Sequence, residues 1–181
     1  MNIATIEKFI FITDFNLIIK NKIKKLKNLS LIYLHDFYDS SKIKTLLNIQ
    51  QFTKKQKIPL YIKDNYNLAI QYKIGGIFIS SNNKKFLPVS IQNSLKIIGS
   101  AHNQLEYFFK KRQNCRYITL SPLFYNDKYS QNKILNIPRY NLISLYWQEK
   151  ICPLGGIQKN NFKKIKLTKA KCVGLKSFIL K

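Results

Sequence analysis

Eight short, nearly all-apolar runs recur along the chain, and their rhythm constrains the fold more than any other feature. They are FIFITDF at 9–15, LSLIYLH at 29–35, IPLYIKD at 58–64, GGIFISS at 75–81, LKIIGSA at 95–101, RYITLSPLF at 116–124, ICPLGG at 151–156 and KCVGL at 171–175. Strands that show water one face alternate apolar with polar residues, whereas parallel strands covered on both faces read as continuous Ile, Leu, Tyr and Phe. The runs are of the second kind. Between most of them stand segments with helical spacing, LIIKNKIKKLKN at 17–28, SKIKTLLNIQQFTKKQK at 41–57, NQLEYFFKKRQ at 103–113 and RYNLISLYWQEK at 139–150. Asp14, Asn103 and Asn160 are expected to cap helix starts. Eight β/α alternations at about 20 residues each predict an α/β chain, a small (β/α)8 barrel of the TIM type. A doubly wound open sheet has the same local pattern and is the alternative. Only KSFILK follows the last run, so the last helix is expected to be short or missing. No Pro/Gly/Ser linker interrupts the 181 residues, which predicts a single domain over 1–181.

The net charge of +24 points to anionic partners. Only Arg112, Arg116 and Arg139 of the 32 basic residues are arginine, however, and surfaces that read phosphate backbones use the bidentate arginine fork as well as lysine. The charge is therefore read as a solvated lysine surface that favours anionic small molecules, with no nucleic-acid partner expected. Cys115, Cys152 and Cys172 form no C-x-x-C pair, so neither a zinc site nor a disulfide framework is indicated. The start MNIATIEKFIFITDF lacks the order of a signal peptide, and no run reaches the ~18 apolar residues of a membrane span. A soluble, reducing, cytoplasmic setting without a membrane partner is the expectation.

Barrels bind and react at the carboxyl ends of their strands. Those ends carry Thr13 and Asp14, His35 and Asp36, Lys63 and Asp64, Ser80 and Ser81, Ser100 and His102, Ser121 and Pro122, Gly155 and Gly156, then Gly174, Lys176 and Ser177. Phosphate sites in barrels are often built by the loops after the seventh and eighth strands, where glycine lets a ligand approach backbone N–H groups. Gly155 and Gly156 fall on the first of these loops, and Lys176 and Ser177 on the second. Tight turns alone would also account for the glycines.

The ordered set PLYIKDNYNLAIQYKIGGIFI, IIGSAHN, YITLSPLF with its continuation YNDKYSQNKILN, CPLGGI and VGLKSFI resembles the thiamine-phosphate synthase/TenI family over 58–179. It is similar above all to the short, divergent TenI-like branch with an S-A-H and an S-P-x-F segment. The resemblance implies a (β/α)8 barrel that joins hydroxymethylpyrimidine diphosphate to a thiazole phosphate, releasing pyrophosphate with Mg2+. It further implies Asp64 as metal ligand, Ser100 and the loop residue Lys128 on the diphosphate, and Gly155, Gly156 and Ser177 on the thiazole phosphate, where Lys176, read from its place in the loop, is a further candidate donor. His35 and His102 are candidate proton carriers. Phosphorylated pyrimidine and thiazole compounds are the partners so implied, while the oligomeric state is not indicated.

Three positions depart from the family pattern. Its Gln-x-Arg-x-Lys on strand two is here Tyr33-Leu34-His35-Asp36-Phe37, without a cation. The acidic residue expected after strand four is replaced by Asn82 and Asn83. Pro122 stands where the tautomerase members carry histidine. A non-catalytic or regulatory phosphate-binding barrel, or a thiazole tautomerase-like isomerase, is accordingly the alternative function.

Overall fold

The computed structural model describes residues 5–127, 129–147, 150–176 and 178. Its eight strands are β1 (Glu7–Ile12), β2 (Leu29–Tyr33), β3 (Leu60–Lys63), β4 (Gly76–Ile79), β5 (Lys96–Ala101), β6 (Tyr117–Leu120), β7 (Lys150–Pro153) and β8 (Cys172–Leu175). Each coincides with one of the eight apolar runs. All neighbours pair in parallel, in the order β7-β6-β5-β4-β3-β2-β1-β8. β1 lies between β2 and β8, with Lys8 opposite Leu29 and Glu7 opposite Cys172. The two outer strands approach each other at the seam, where the Cys172 thiol lies 3.9 Å from the Ile151 carbonyl. The result is a nearly closed (β/α)8 barrel, not an open doubly wound sheet.

Side chains alternate across each strand, so every second residue enters the barrel. Phe9, Phe11, Ile32, Tyr61, Phe78, Ile98, Tyr117, Cys152 and Cys172 form the inner cluster, joined by Leu34 and Leu154. Short strands leave a narrow bore, and aromatic rings fill it edge to face. Phe9 meets Tyr117 at 5.2 Å between centroids, and Phe11 meets Phe78 at 5.2 Å. Low polarity pushes the Tyr61 phenol up to about 12. The intervening residues, among them Ile10, Ile12, Leu31, Tyr33, Ile62, Ile77, Ile79 and Ile118, face outward into a second cluster with the helices. This explains the unbroken apolar runs: both faces of every strand are covered.

Six α-helices are described: α1 (Leu17–Lys24), α2 (Ser40–Gln56), α3 (Tyr66–Gln71), α4 (Val89–Ser94), α5 (Gln104–Arg112) and α6 (Asn136–Tyr146). Asn103 caps α5 as expected, its Oδ1 accepting from Glu106 N at 2.9 Å. The cap of α1 is Asn16, which accepts from Ile19 N, and not Asp14, which instead accepts from the Thr13 hydroxyl. Asn160 caps no described helix. Its neighbour Asn161 precedes a 3-10 turn over Phe162–Leu167, which takes the place of a helix between β7 and β8. The helix expected at 139–150 begins and ends earlier, as α6. Of the residues on which the shortened last helix would fall, only Lys176 and Phe178 are described, and Phe178 packs its ring 5.1 Å from Phe162. No described helix is long and apolar enough to cross a membrane.

Candidate active site

The strands' carboxyl ends form one mouth, and strand parity decides which side chains reach it. On β3, Tyr61 belongs to the inner cluster and Ile62 to the outer, so Lys63 returns to the inside. On β2, Leu34 is inner, and the same count brings Asp36 to the rim. There the two meet, Lys63 Nζ donating to Asp36 Oδ1 at 2.9 Å.

Asp64 follows with a left-handed backbone, φ 54°. Aspartate enters that region more readily than most residues because its short side chain can bond locally. Here Oδ1 accepts from Ser80 N and from Asn83 Nδ2, both at 2.9 Å, which fastens the loop after β3 to the loop after β4. The second loop is held from behind. Lys110 of α5, fully buried, donates to the Asn83 carbonyl at 2.6 Å and to Gln113 Oε1 at 3.0 Å. Gln113 in turn donates to the carbonyls of Asn83 and Lys85. Burial pushes the Lys110 amine down, against the smaller opposing pull of Cys115, Asp64 and Glu106.

Across β5 and β6 the lining is hydroxylic. Ser100 is buried on the inner face of β5, two residues beyond Ile98, and stands opposite Thr119 of β6. Thr119 is fully buried, yet its hydroxyl has no hydrogen-bond partner among the described residues. Buried polar groups are seldom left so. Thr119 was not singled out by sequence, because only the inner-face count from Tyr117 places it in the mouth.

Opposite β3, the chain turns at Gly155 and Gly156, with φ 91° and 68°. A Cβ on Gly156 would stand 2.3 Å from the Phe124 carbonyl oxygen, and one on Gly155 would stand 3.0 Å from Pro122 Cα. The glycines are thus required by left-handed backbone and by the close approach of the loop after β6, whose Ser121–Pro122 bond is cis. Among the described residues, neither glycine N–H donates to a protein acceptor. Lys176 follows β8 directly and is half-buried, while Ser177 and Lys128 lie outside the described residues.

Both histidines are engaged. His35 continues the outward parity of Tyr33, its Nε2 lying 2.6 Å from the Thr13 carbonyl and its ring 5.0 Å from that of Tyr33. It ties the end of β1 to the end of β2. His102 holds Glu106 through its backbone N–H, at 2.7 Å, and through Nδ1, at 3.0 Å. Its ring is 6.3 Å from that of Tyr129.

The sequence profile of the family described as thiamine monophosphate synthase matches residues 18–179. The chain belongs to this family. A thiamine-phosphate synthase of Clostridium tetani is 28% identical over 150 residues, spanning 80% of this chain and 68% of that one. A putative thiamine-phosphate synthase 2 of Aquifex aeolicus is 24% identical over 67% of this chain and 73% of its own. Among solved structures, thiamine phosphate pyrophosphorylase from Pyrococcus furiosus superposes with a TM-score of 0.75 at 13% identity, covering 97% of this chain and 88% of that one. A 2-keto-3-deoxy-6-phospho-gluconate aldolase from Zymomonas mobilis superposes with a TM-score of 0.64 at 12% identity, covering 95% and 82%, so the barrel is shared beyond the synthases.

As a member of the thiamine monophosphate synthase family, the chain belongs to thiamine biosynthesis, which the resemblance of 58–179 implied. The match reaches back to residue 18, forty residues before the stretch that carried the resemblance. The structure brings Asp64, Ser100, Gly155, Gly156 and Lys176 to the same end of the barrel. His35 also stands at that end but turns its ring outward. Among the described residues no three His, Cys, Asp or Glu side chains cluster as a metal site.

Proposed function

We propose that this family member is itself a thiamine-phosphate synthase, joining hydroxymethylpyrimidine diphosphate to a thiazole phosphate. One observation carries the reading: the loops after β3 and β7 stand on opposite sides of one mouth. β3, with Lys63 and Asp64, and β7, with the Gly155–Gly156 turn whose N–H groups have no acceptor among the described residues, stand four strands apart in a ring of eight. A reaction with a diphosphate on one partner and a phosphate on the other needs this separation. Between them, Ser100 and Thr119 offer hydroxyls where the two partners would meet.

The new bond forms between the thiazole nitrogen and the pyrimidine methylene carbon, and the carbon–oxygen bond to the diphosphate breaks, its electron pair leaving with pyrophosphate. The protein's task is to hold both anions and to stabilise the departing charge. Ser100 donates to the diphosphate, joined by Lys128 of the long loop. Gly155, Gly156, Lys176 and Ser177 hold the thiazole phosphate. Mg2+ characteristically binds one or two carboxylates together with substrate phosphates. Asp64 fits that demand through Oδ2, since its Oδ1 is committed to Ser80 and Asn83, and the ion would neutralise diphosphate charge. In this reading His35 and His102 shape the rim instead of moving protons, because each is tied to a fixed partner. A cytoplasmic location is part of this reading.

Calorimetry with each substrate separately tests the two-site arrangement. Thiazole phosphate should bind without Mg2+, and the pyrimidine diphosphate should require it. Competition of the two for one site would contradict the reading. Thiazole-phosphate binding without any turnover would favour the regulatory alternative.

A further inference from the structure

The run at the end of β2 lacks the cations that a diphosphate requires, and the structure brings one to the same place from the next strand. Lys63 is the last residue of β3, inward by parity, and reaches sideways to Asp36 beyond β2. The two side chains are 28% and 60% exposed, so the pair sits at the open rim. Exposed ion pairs contribute little to stability, and this one closes no gap in the core. The chain has eight acidic residues against 32 basic ones, so carboxylates are too few to pair most of the lysines. The Lys63–Asp36 pair and the His102–Glu106 contact, which is an ion pair only when the imidazole is protonated, both lie at the strands' carboxyl ends.

We propose that Lys63 is a further diphosphate-binding cation of this chain, beside Lys128, held at the mouth by Asp36 until substrate arrives. The inference rests on the synthase reading. Lys63 immediately precedes Asp64, the residue placed on the metal. A lysine without Asp36 would be free to turn onto the Asp64 carboxylate, and Asp36 draws the amine across to β2 instead. A diphosphate entering the mouth carries more negative charge than Asp36 and takes the amine over, with no bond made or broken in the protein. The ammonium donates up to three hydrogen bonds, so one can remain on Asp36 while others reach phosphate oxygens.

The test uses the intact chain, inorganic pyrophosphate with Mg2+ as probe, and calorimetry, alongside turnover. Lys63→Met should weaken pyrophosphate binding about tenfold to a hundredfold, the loss of one charge-assisted hydrogen bond. Thiazole-phosphate affinity should stay unchanged, which also shows that the variant is folded, and Lys63→Arg should recover most of the binding. Asp36→Asn should keep or strengthen it, because a competitor for the amine is removed. Equal losses in Lys63→Met and Asp36→Asn would mean a structural pair and overturn the proposal. So would a Lys63→Met variant that binds like wild type while wild type turns over. If wild type neither binds pyrophosphate nor makes product, the synthase reading itself fails and this inference with it.

Discussion

Replacing Gly156 by alanine should destabilise the barrel at the mouth, by an amount the structure sets. The new Cβ would stand 2.3 Å from the Phe124 carbonyl oxygen, 2.5 Å from its carbon and 2.6 Å from the Tyr125 carbonyl oxygen. These are backbone atoms, so no rotamer change relieves the contact, and the loop after β6 must move. The left-handed conformation at φ 68° adds about 1–2 kcal/mol for a residue with a Cβ. Overpacking against a fixed neighbour adds about 1–3 kcal/mol. The sum, about 2–5 kcal/mol, is a large part of the roughly 5–15 kcal/mol that holds a typical domain. For a chain of this size it lowers Tm by about 4–20 °C. Thermal unfolding followed by circular dichroism measures it, with Gly75→Ala as the control, since a Cβ there meets nothing within 4 Å. A Gly156→Ala variant melting within about 1 °C of wild type would refute the reasoning. Where the variant stays folded at low temperature, weaker thiazole-phosphate binding is also expected, because the loop shift moves the N–H groups placed on that ligand.

Asp64→Asn should lower turnover at least about a hundredfold in saturating Mg2+, while thiazole-phosphate binding measured by calorimetry stays the same; full turnover would remove the carboxylate from the mechanism. Thr119→Val should raise Tm slightly, by relieving a buried hydroxyl without a partner, and should weaken substrate binding; a lower Tm would show that the hydroxyl already has a partner in the folded chain. Burial holds the folded Lys110 amine below its ordinary 10.5, so the unfolded chain binds more protons there and stability rises with pH from the depressed value toward 10.5. Denaturant unfolding as a function of pH should show Lys110→Met flattening that rise. The tyrosines act in the opposite sense: Tyr61, raised from 10.0 to about 12, contributes stability that is present below 10 and lost as pH climbs through 12.

The barrel was legible because each strand is short and doubly covered, so its residues are apolar throughout and its neighbours in sequence are its neighbours in space. The helix caps were partly legible. Asn103 with Glu106 three residues on is a local pattern, whereas the choice of Asn16 over Asp14 depends on where β1 releases the chain. The glycine pair was found for one reason and needed for another: sequence suggested room for a phosphate, and the structure shows the Phe124 carbonyl filling the space a Cβ would take. Its N–H groups nonetheless remain unpaired among the described residues, which keeps the ligand role open to measurement. Lys63 and Asp36 were visible as strand ends, but their meeting was not. They are 27 residues apart, and only the register of β2 on β3 brings them together. The clamp of Lys110 and Gln113 on Asn83 escaped for the same reason, since a lysine inside an amphipathic helix reads as solvated until the loop it holds is seen.

A coupled assay tests the central claim most directly: the purified chain with hydroxymethylpyrimidine diphosphate, thiazole phosphate and Mg2+, following thiamine phosphate and pyrophosphate together. The account predicts both products in equal amounts, above the uncatalysed background, with pyrophosphate release dependent on both substrates. Thiazole phosphate bound at the Gly155–Gly156 turn without any thiamine phosphate formed would contradict it.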